Sequence, residues 1–187
     1  MNLPAIICDA GAEAILKGRK IWGAKNDNEI REEFLSALMA VNLHEMLEKP
    51  VRTERNYALL CKELGLEVTA EDINKVADYR ADIVIYDNAG ITTKPTALVE
   101  IKKFNETTPF SEIVVDLYKG KAVRLEKHLK IYLGAFVCET AVDLEQRQAA
   151  LEKAVGHKVV FSKPYWAISN RWRWCFACVG APLPVAK

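Results

Sequence analysis

Two short apolar stretches, Ala81–Tyr86 and Thr96–Lys103, carry acids that an ordinary hydrophobic hairpin has no use for: Asp82 in the first, and Glu100 followed by Lys102 in the second. Both stretches are rich in β-branched residues, and the segment between them holds Asp87-Asn-Ala-Gly90 and Pro95, so a β-hairpin with a turn-containing loop is expected. Strand side chains alternate, which puts Glu100 and Lys102 on one face and Val99 and Ile101 on the other. If the strands pair, Asp82 lies across from the acid–lysine pair while Ile83 and Ile85 join Val99 and Ile101 in the core. Two carboxylates gathered among apolar residues repel each other and are poorly solvated, and a divalent cation between them relieves both costs. Hard oxygen donors of this kind suit Mg²⁺, with Mn²⁺ able to substitute.

Asp82, with Glu100-Ile101-Lys102 at the end of the next strand, resembles the metal site of the PD-(D/E)XK nuclease superfamily, the restriction-endonuclease-like fold. The superfamily's proline before the aspartate is Ala81 here. The resemblance covers roughly residues 28–140 in pattern and implies a three-layer α/β/α fold, a mixed central sheet flanked by helices; the length suits one such domain over 1–187, with the short helices around 58–79 read as an insertion. The resemblance also implies a Mg²⁺-dependent nuclease that hydrolyses phosphodiester bonds with a metal-activated water, DNA being expected ahead of RNA. Asp82, Glu100 and the backbone carbonyl of Ile101 would bind metal, and Lys102 would orient the water and stabilise charge developing on the phosphorus oxygens. A glutamate on the first helix often joins the site in this superfamily, and Glu33 is the candidate, with Glu29 and Glu54 as competitors. The segment EIVVDLYKGK resembles the D-L-x-K helix of several bacterial families, which gives Lys119 and Lys121, along with Arg80, as phosphate contacts. Two rivals stand beside this reading. The acids and lysine could be charged residues guarding an edge strand, or the fold could be a module that binds nucleic acid or a partner without catalysis.

The remaining elements must position these residues. Ile30, Phe34, Ala37, Leu38 and Val41 recur at helical spacing over Asn28–Glu48, with Asp27 or Asn28 as N-cap. On that stripe Glu33 borders the apolar face and Glu32 faces solvent. Val51–Tyr57 can form the first strand, although 54–64 read as a helix would also keep Glu54 on an apolar face. Short helices are expected over Leu59–Leu66 and Ala70–Ala77, the second capped by Thr69. Ser111 caps a helix from Glu112 to Lys130 that bends near Gly120. Ile131–Val137 reads as a central buried strand, Asp143–Val155 as an amphipathic helix stopped by Gly156, and Lys158–Phe161 and Trp172–Val179 as late strands. Before Asn28 only Ala10–Lys17 suggests helix, followed by a solvated Gly18-Arg-Lys20. Lys103 alternates away from the site and reads as solvated at the strand end.

The composition is that of an ordinary globular protein: 187 residues, 50% hydrophobic, 27% charged, with a net charge of +1. That charge argues against a non-specific electrostatic coat on DNA but leaves room for a locally basic face. No apolar run approaches a membrane span and the first residues lack a basic signal-peptide region, so a cytoplasmic protein without membrane contact is expected. Two copies of one site could cut two strands, which makes a homodimer compatible with the reading. Five cysteines suggest no disulfide framework. Cys175 and Cys178 have C-x-x-C spacing, but residues three apart in a strand point to opposite faces, which favours core cysteines over zinc. Tyr165, Trp166, Trp172 and Trp174, interleaved with Arg171 and Arg173, suit either base stacking or a packed hairpin with arginines over indoles.

Overall fold

A computed structural model describes residues 2–22, 30–89, 92–104, 115, 117–119, 123–140, 143–156, 158–167 and 172–181. Its centre is a mixed seven-stranded sheet: β1 (Val51–Asn56), β2 (Arg80–Ala89), β3 (Thr92–Phe104), β4 (Lys130–Thr140), β5 (Val160–Phe161), β6 (Tyr165–Trp166) and β7 (Trp172–Gly180). The strands run in the order β1-β2-β3-β4-β7-β5, with β6 also pairing β7. The first three form an antiparallel meander, β4 lies parallel to β3, and β7 is antiparallel to β4. A parallel pair needs a crossover over one face of the sheet. Of the described residues that precede β4, Val123, Leu125 and Leu129 are buried against one face of the sheet.

Helices cover both faces. Helices α1 (Leu3–Trp22) and α2 (Glu32–Leu47) share one core with Ile83, Ile85, Val99, Ile101, Phe136, Trp174 and Phe176. The opposite face carries two clusters. Tyr57, Leu60 and Cys61 of α3 (Tyr57–Glu63) and Val76 of α4 (Ala70–Val76) pack on Val84, Tyr86 and Leu98. Leu144 and Leu151 of α5 (Leu144–Val155) pack on Leu133, Val137, Cys175 and Val179. The alternation expected of the hairpin therefore holds, since Ile83, Ile85, Val99 and Ile101 share one core and Val84 and Leu98 the other.

Several elements match the expectation closely. Strand β1 covers 51–56, Thr69 Oγ1 accepts from Asp72 N at 3.1 Å to cap α4, and Gly156 ends α5 with φ 75°. Strand β4 is central and buried throughout Ile131–Cys138. Other elements differ, each for a physical reason. Helix α1 spans 20 residues, including Gly18-Arg-Lys20. Between the buried Ile7 and Ile15 its packing face holds Ala10, Gly11 and Ala14, whose small side chains give little periodic signal but let the helix lie close to the sheet. A Cβ on Gly11 would come within 2.5 Å of the Phe176 ring. Asn42 ties α2 to α1, donating to Ala10 O at 2.9 Å and accepting from Lys17 Nζ at 2.7 Å.

The expected loop around Pro95 is strand. A bulge between Ile85 and Tyr86 lets Pro95 pair with Tyr86, and Thr96 Oγ1 donates to Ile85 O at 3.2 Å. The segment expected to continue as helix to Lys130, broken or bent near Gly120, is among the described residues a 3-10 turn at Leu125–Lys127, entered through Arg124 at φ 57°. Helices α3 and α4 are part of the core of one face, with Tyr57, Leu60, Cys61 and Val76 fully buried. The expected caps at Asp27, Asn28 and Ser111, and the bend at Gly120, lie outside the described residues.

Candidate functional site

The hairpin strands separate at the acids. The β2–β3 ladder ends at Ile83↔Val99, yet β2 continues pairing with β1 to Arg80 and β3 continues pairing with β4 to Phe104. This leaves a fork in the middle of the sheet, flanked by Asp82 on one prong and Glu100-Ile101-Lys102 on the other. Backbone N–H groups of β3 that face the fork need acceptors. Asp82 Oδ2 accepts from Ile101 N at 2.6 Å, and Glu32 Oε1, from the first turn of α2, accepts from Lys103 N at 2.9 Å. In an extended strand the N–H and C=O of one residue leave on the same side, so the Ile101 carbonyl is also directed to the Asp82 side of β3.

Glu100 is buried at 1% exposure. Its Oε1 accepts from the Tyr57 hydroxyl at 2.6 Å and its Oε2 from Lys119 Nζ at 3.4 Å. Tyr57 is itself fully buried, at the start of α3. Asn56 caps that helix, accepting from Ala58 N at 2.8 Å, and Tyr57 N donates to Tyr79 O at 3.1 Å. Lys102 lies two residues beyond Glu100, on the same face by alternation, and is half-buried.

Burial raises the Asp82 carboxyl to about 6, against the lowering effect of the Ile101 N–H and the Lys119 charge. Glu54 and Glu32 push it in the same direction as burial. Glu54 falls between the pairs Thr53↔Ile83 and Arg55↔Ala81, opposite Asp82, and its φ of 54° is a left-handed conformation that costs a non-glycine residue about 1 kcal/mol or more.

The structure thus brings together Asp82, Glu100 and Ile101, with Lys102 following on β3. Lys119 also reaches the site, as the partner of Glu100. Arg80 is exposed at the outer end of β2, opposite Asn56. Glu33 is exposed, and Glu32 is the α2 glutamate at the fork. The buried stripe of α2 runs through Leu35, Met39, Leu43 and Leu47, while Val41 is exposed, so the apolar face is rotated from the one read in the sequence. Seven residues at about 100° each return almost to the start, which sets Glu32 beneath Met39. Lys103, expected in solvent, is half-buried. Burial lowers its ammonium while Glu32 and Glu33 oppose that. Glu29 and Lys121 lie outside the described residues.

Tyr57 was not legible as a site residue because nothing in its local pattern points to Glu100, 43 positions away. The cysteines behave as core residues: Cys178 packs with α1 and Cys175 with α5, on opposite faces. The C-terminal aromatics form a packed hairpin, with Tyr165 stacked on Trp174 at 4.5 Å and Arg173 over Trp166 at 5.9 Å. Arg171 lies outside the described residues.

Among the described residues no group of three or more His, Cys, Asp and Glu side chains is placed to hold a metal ion. The donor set at the fork is smaller: two carboxylates on neighbouring strands and a main-chain carbonyl directed to the same side. That set fits a hard cation that keeps several of its waters, as Mg²⁺ does. No helix among the described residues is long and apolar enough to cross a membrane. No family model, no curated protein and no solved structure matches the chain.

Proposed function

We propose that the chain is a divalent-metal-dependent nuclease with a restriction-endonuclease-like domain, acting on nucleic acid and on DNA ahead of RNA. The observation that carries this reading is the fork: where β2 and β3 part, Asp82 on one strand bonds Ile101 N on the other, next to the buried Glu100, which pairs with Lys119, and Lys102 follows on β3. The order of elements supports it as well, with α2 preceding an antiparallel meander whose third strand is parallel to β4. A carboxylate buried as deeply as Glu100 is costly unless a cation or hydrogen bonds compensate it. That demand is what a metal ligand presents.

In this reading Asp82, Glu100 and the Ile101 carbonyl hold Mg²⁺ or Mn²⁺. The ion supplies Lewis-acid polarisation of a phosphodiester oxygen and a bound water of lowered pKa. Lys102 orients that water and stabilises charge on the phosphorus oxygens. Asp82 must be ionised to act as a ligand. With its carboxyl raised to about 6 by burial, it becomes ionised as the pH rises through that value. In-line attack leaves a 5′-phosphate and a 3′-hydroxyl.

A non-catalytic binding module is favoured by a different observation: Tyr57, Lys119 and the Ile101 N–H already partner the two acids, which is a self-sufficient structural network. Cleavage separates the two readings. The wild type should cut circular single-stranded DNA, supercoiled duplex DNA or an RNA with Mn²⁺ or Mg²⁺, and Asp82→Ala and Lys102→Ala should both abolish it. Absence of cleavage together with absence of Mn²⁺ binding by calorimetry overturns the nuclease reading in favour of the module.

A further inference from the structure

Among the described residues, Glu100 accepts from donors of unlike character. On one side stands Tyr57, fully buried, its hydroxyl 2.6 Å from Oε1. It is fixed at a helix start by its own N–H on Tyr79 O and by the Asn56 cap, whose Nδ2 also donates to Ala77 O at 2.6 Å. On the other side stands Lys119, whose side chain is 28% exposed and whose ammonium lies 3.4 Å from Oε2. An ammonium on a four-carbon stem is a compact, mobile point charge. The Lys119 charge also acts on Asp82, pulling its carboxyl down. A cation of the chain itself is therefore already paired with the buried acid of the fork.

We propose that Tyr57 is the positioning residue that fixes Glu100, and that Lys119 is a resident counter-cation which a divalent ion must displace from Oε2. The inference rests on the metal-dependent reading of the same site. Two cations cannot share one carboxylate oxygen at close range without strong repulsion, so ion and ammonium compete. Tyr57 does not compete: its hydroxyl occupies Oε1 and leaves Oε2 as the oxygen presented to the ion. Displaced from Glu100, the Lys119 ammonium is available to a phosphate at the moment the ion is in place, which links metal loading to substrate binding.

The two donors thus predict opposite effects. Lys119→Met removes the competitor and keeps the apolar stem, so Mn²⁺ affinity, measured by calorimetry and by titration of the free-ion paramagnetic resonance signal at pH 8, should rise about 5- to 30-fold. Tyr57→Phe keeps the ring in its core position but frees Glu100 to rotate, so Mn²⁺ affinity should fall about 3- to 10-fold. Nucleic-acid affinity at saturating Mn²⁺ should fall in Lys119→Met. Equal Mn²⁺ affinity in wild type and Lys119→Met, or weaker binding in that variant, overturns the inference while leaving the metal site intact. Because Lys119 is partly exposed, that arm stands even if Tyr57→Phe does not fold. No Mn²⁺ binding by wild type or either variant overturns the metal-dependent reading and this inference together.

Discussion

The Asp82 carboxyl titrates near 6 in the folded protein, against an ordinary value of 3.8, chiefly because the fork withdraws it from water. A raised acid of this kind favours the folded state when it is protonated. Its contribution is fully present below about pH 4 and is lost as the pH rises through 6. The interval between the two values is about two tenfold steps in proton affinity, each worth about 1.4 kcal/mol, so the metal-free protein carries a penalty of up to about 3 kcal/mol above pH 7. Partial solvent access reduces this, and about 2 kcal/mol is the expected size. Asp82→Asn removes the charge while its Oδ1 can still accept from Ile101 N. At pH 8, in the presence of a chelator, this variant should therefore be more stable than wild type by about 2 kcal/mol. For a chain of this size that corresponds to a rise of about 4–8 °C in Tm. At pH 4 the two proteins should melt together. Urea denaturation from pH 4 to pH 8 measures both limits. A variant no more stable than wild type at pH 8, or an equal gap at pH 4 and pH 8, would refute the claim that the fork strains an ionised Asp82.

Two further substitutions test the frame around the site. Glu32→Ala leaves the Lys103 N–H at the fork without its acceptor and should cost about 1–3 kcal/mol in urea denaturation, whereas Glu33→Ala, one residue on and exposed, should stay within about 0.5 kcal/mol of wild type. Gly134→Ala would bring a methyl group within 2.9 Å of the Phe176 ring and 3.1 Å of Ile101 Cδ1, on the strand next to the site. Overpacking there should cost about 1–3 kcal/mol and lower Mn²⁺ affinity as well, because Ile101 is moved; a stability loss with unchanged affinity would show that β3 is held independently of that contact.

Much of the fold was legible because its signals are local. The alternation in 81–86 and 96–103, the Thr69 cap, the continuous apolar run of 131–137 and the Gly156 stop each depend on a few neighbouring residues, and each appears where it was expected. Two helices show where local signals fail. The face of α1 places small residues, Ala10, Gly11 and Ala14, between the buried Ile7 and Ile15, and Gly11 contributes close approach to Phe176 instead of side-chain area, so its full 20 residues do not stand out. In α2 two overlapping stripes compete. The one containing Val41 was read, but the buried one contains Met39 and Leu43, because Asn42 beside them is satisfied by Ala10 and Lys17 of α1. A polar residue in the core became acceptable through a helix that the sequence suggested only over Ala10–Lys17, with nothing local to show that it packs against α2.

The site was legible in its acids and not in their partners, and the fork explains the difference. Types and spacing within one hairpin place Asp82 near Glu100, since that needs only pairing and alternation. What those acids do before any ligand arrives depends on where the ladder stops. Had β2 and β3 stayed paired past Ile83↔Val99, Ile101 N would have bonded to the β2 backbone and Asp82 would have had no reason to turn toward it. Because the strands part, backbone donors at 101 and 103 draw in Asp82 and, from a distant helix, Glu32. The same opening gives Glu100 room for two donors from other parts of the chain, Tyr57 and Lys119. Each of these contacts neutralises a charge or satisfies a donor that the open sheet would otherwise leave bare in a half-dry setting, so the fork is closed by groups drawn from four separate parts of the chain.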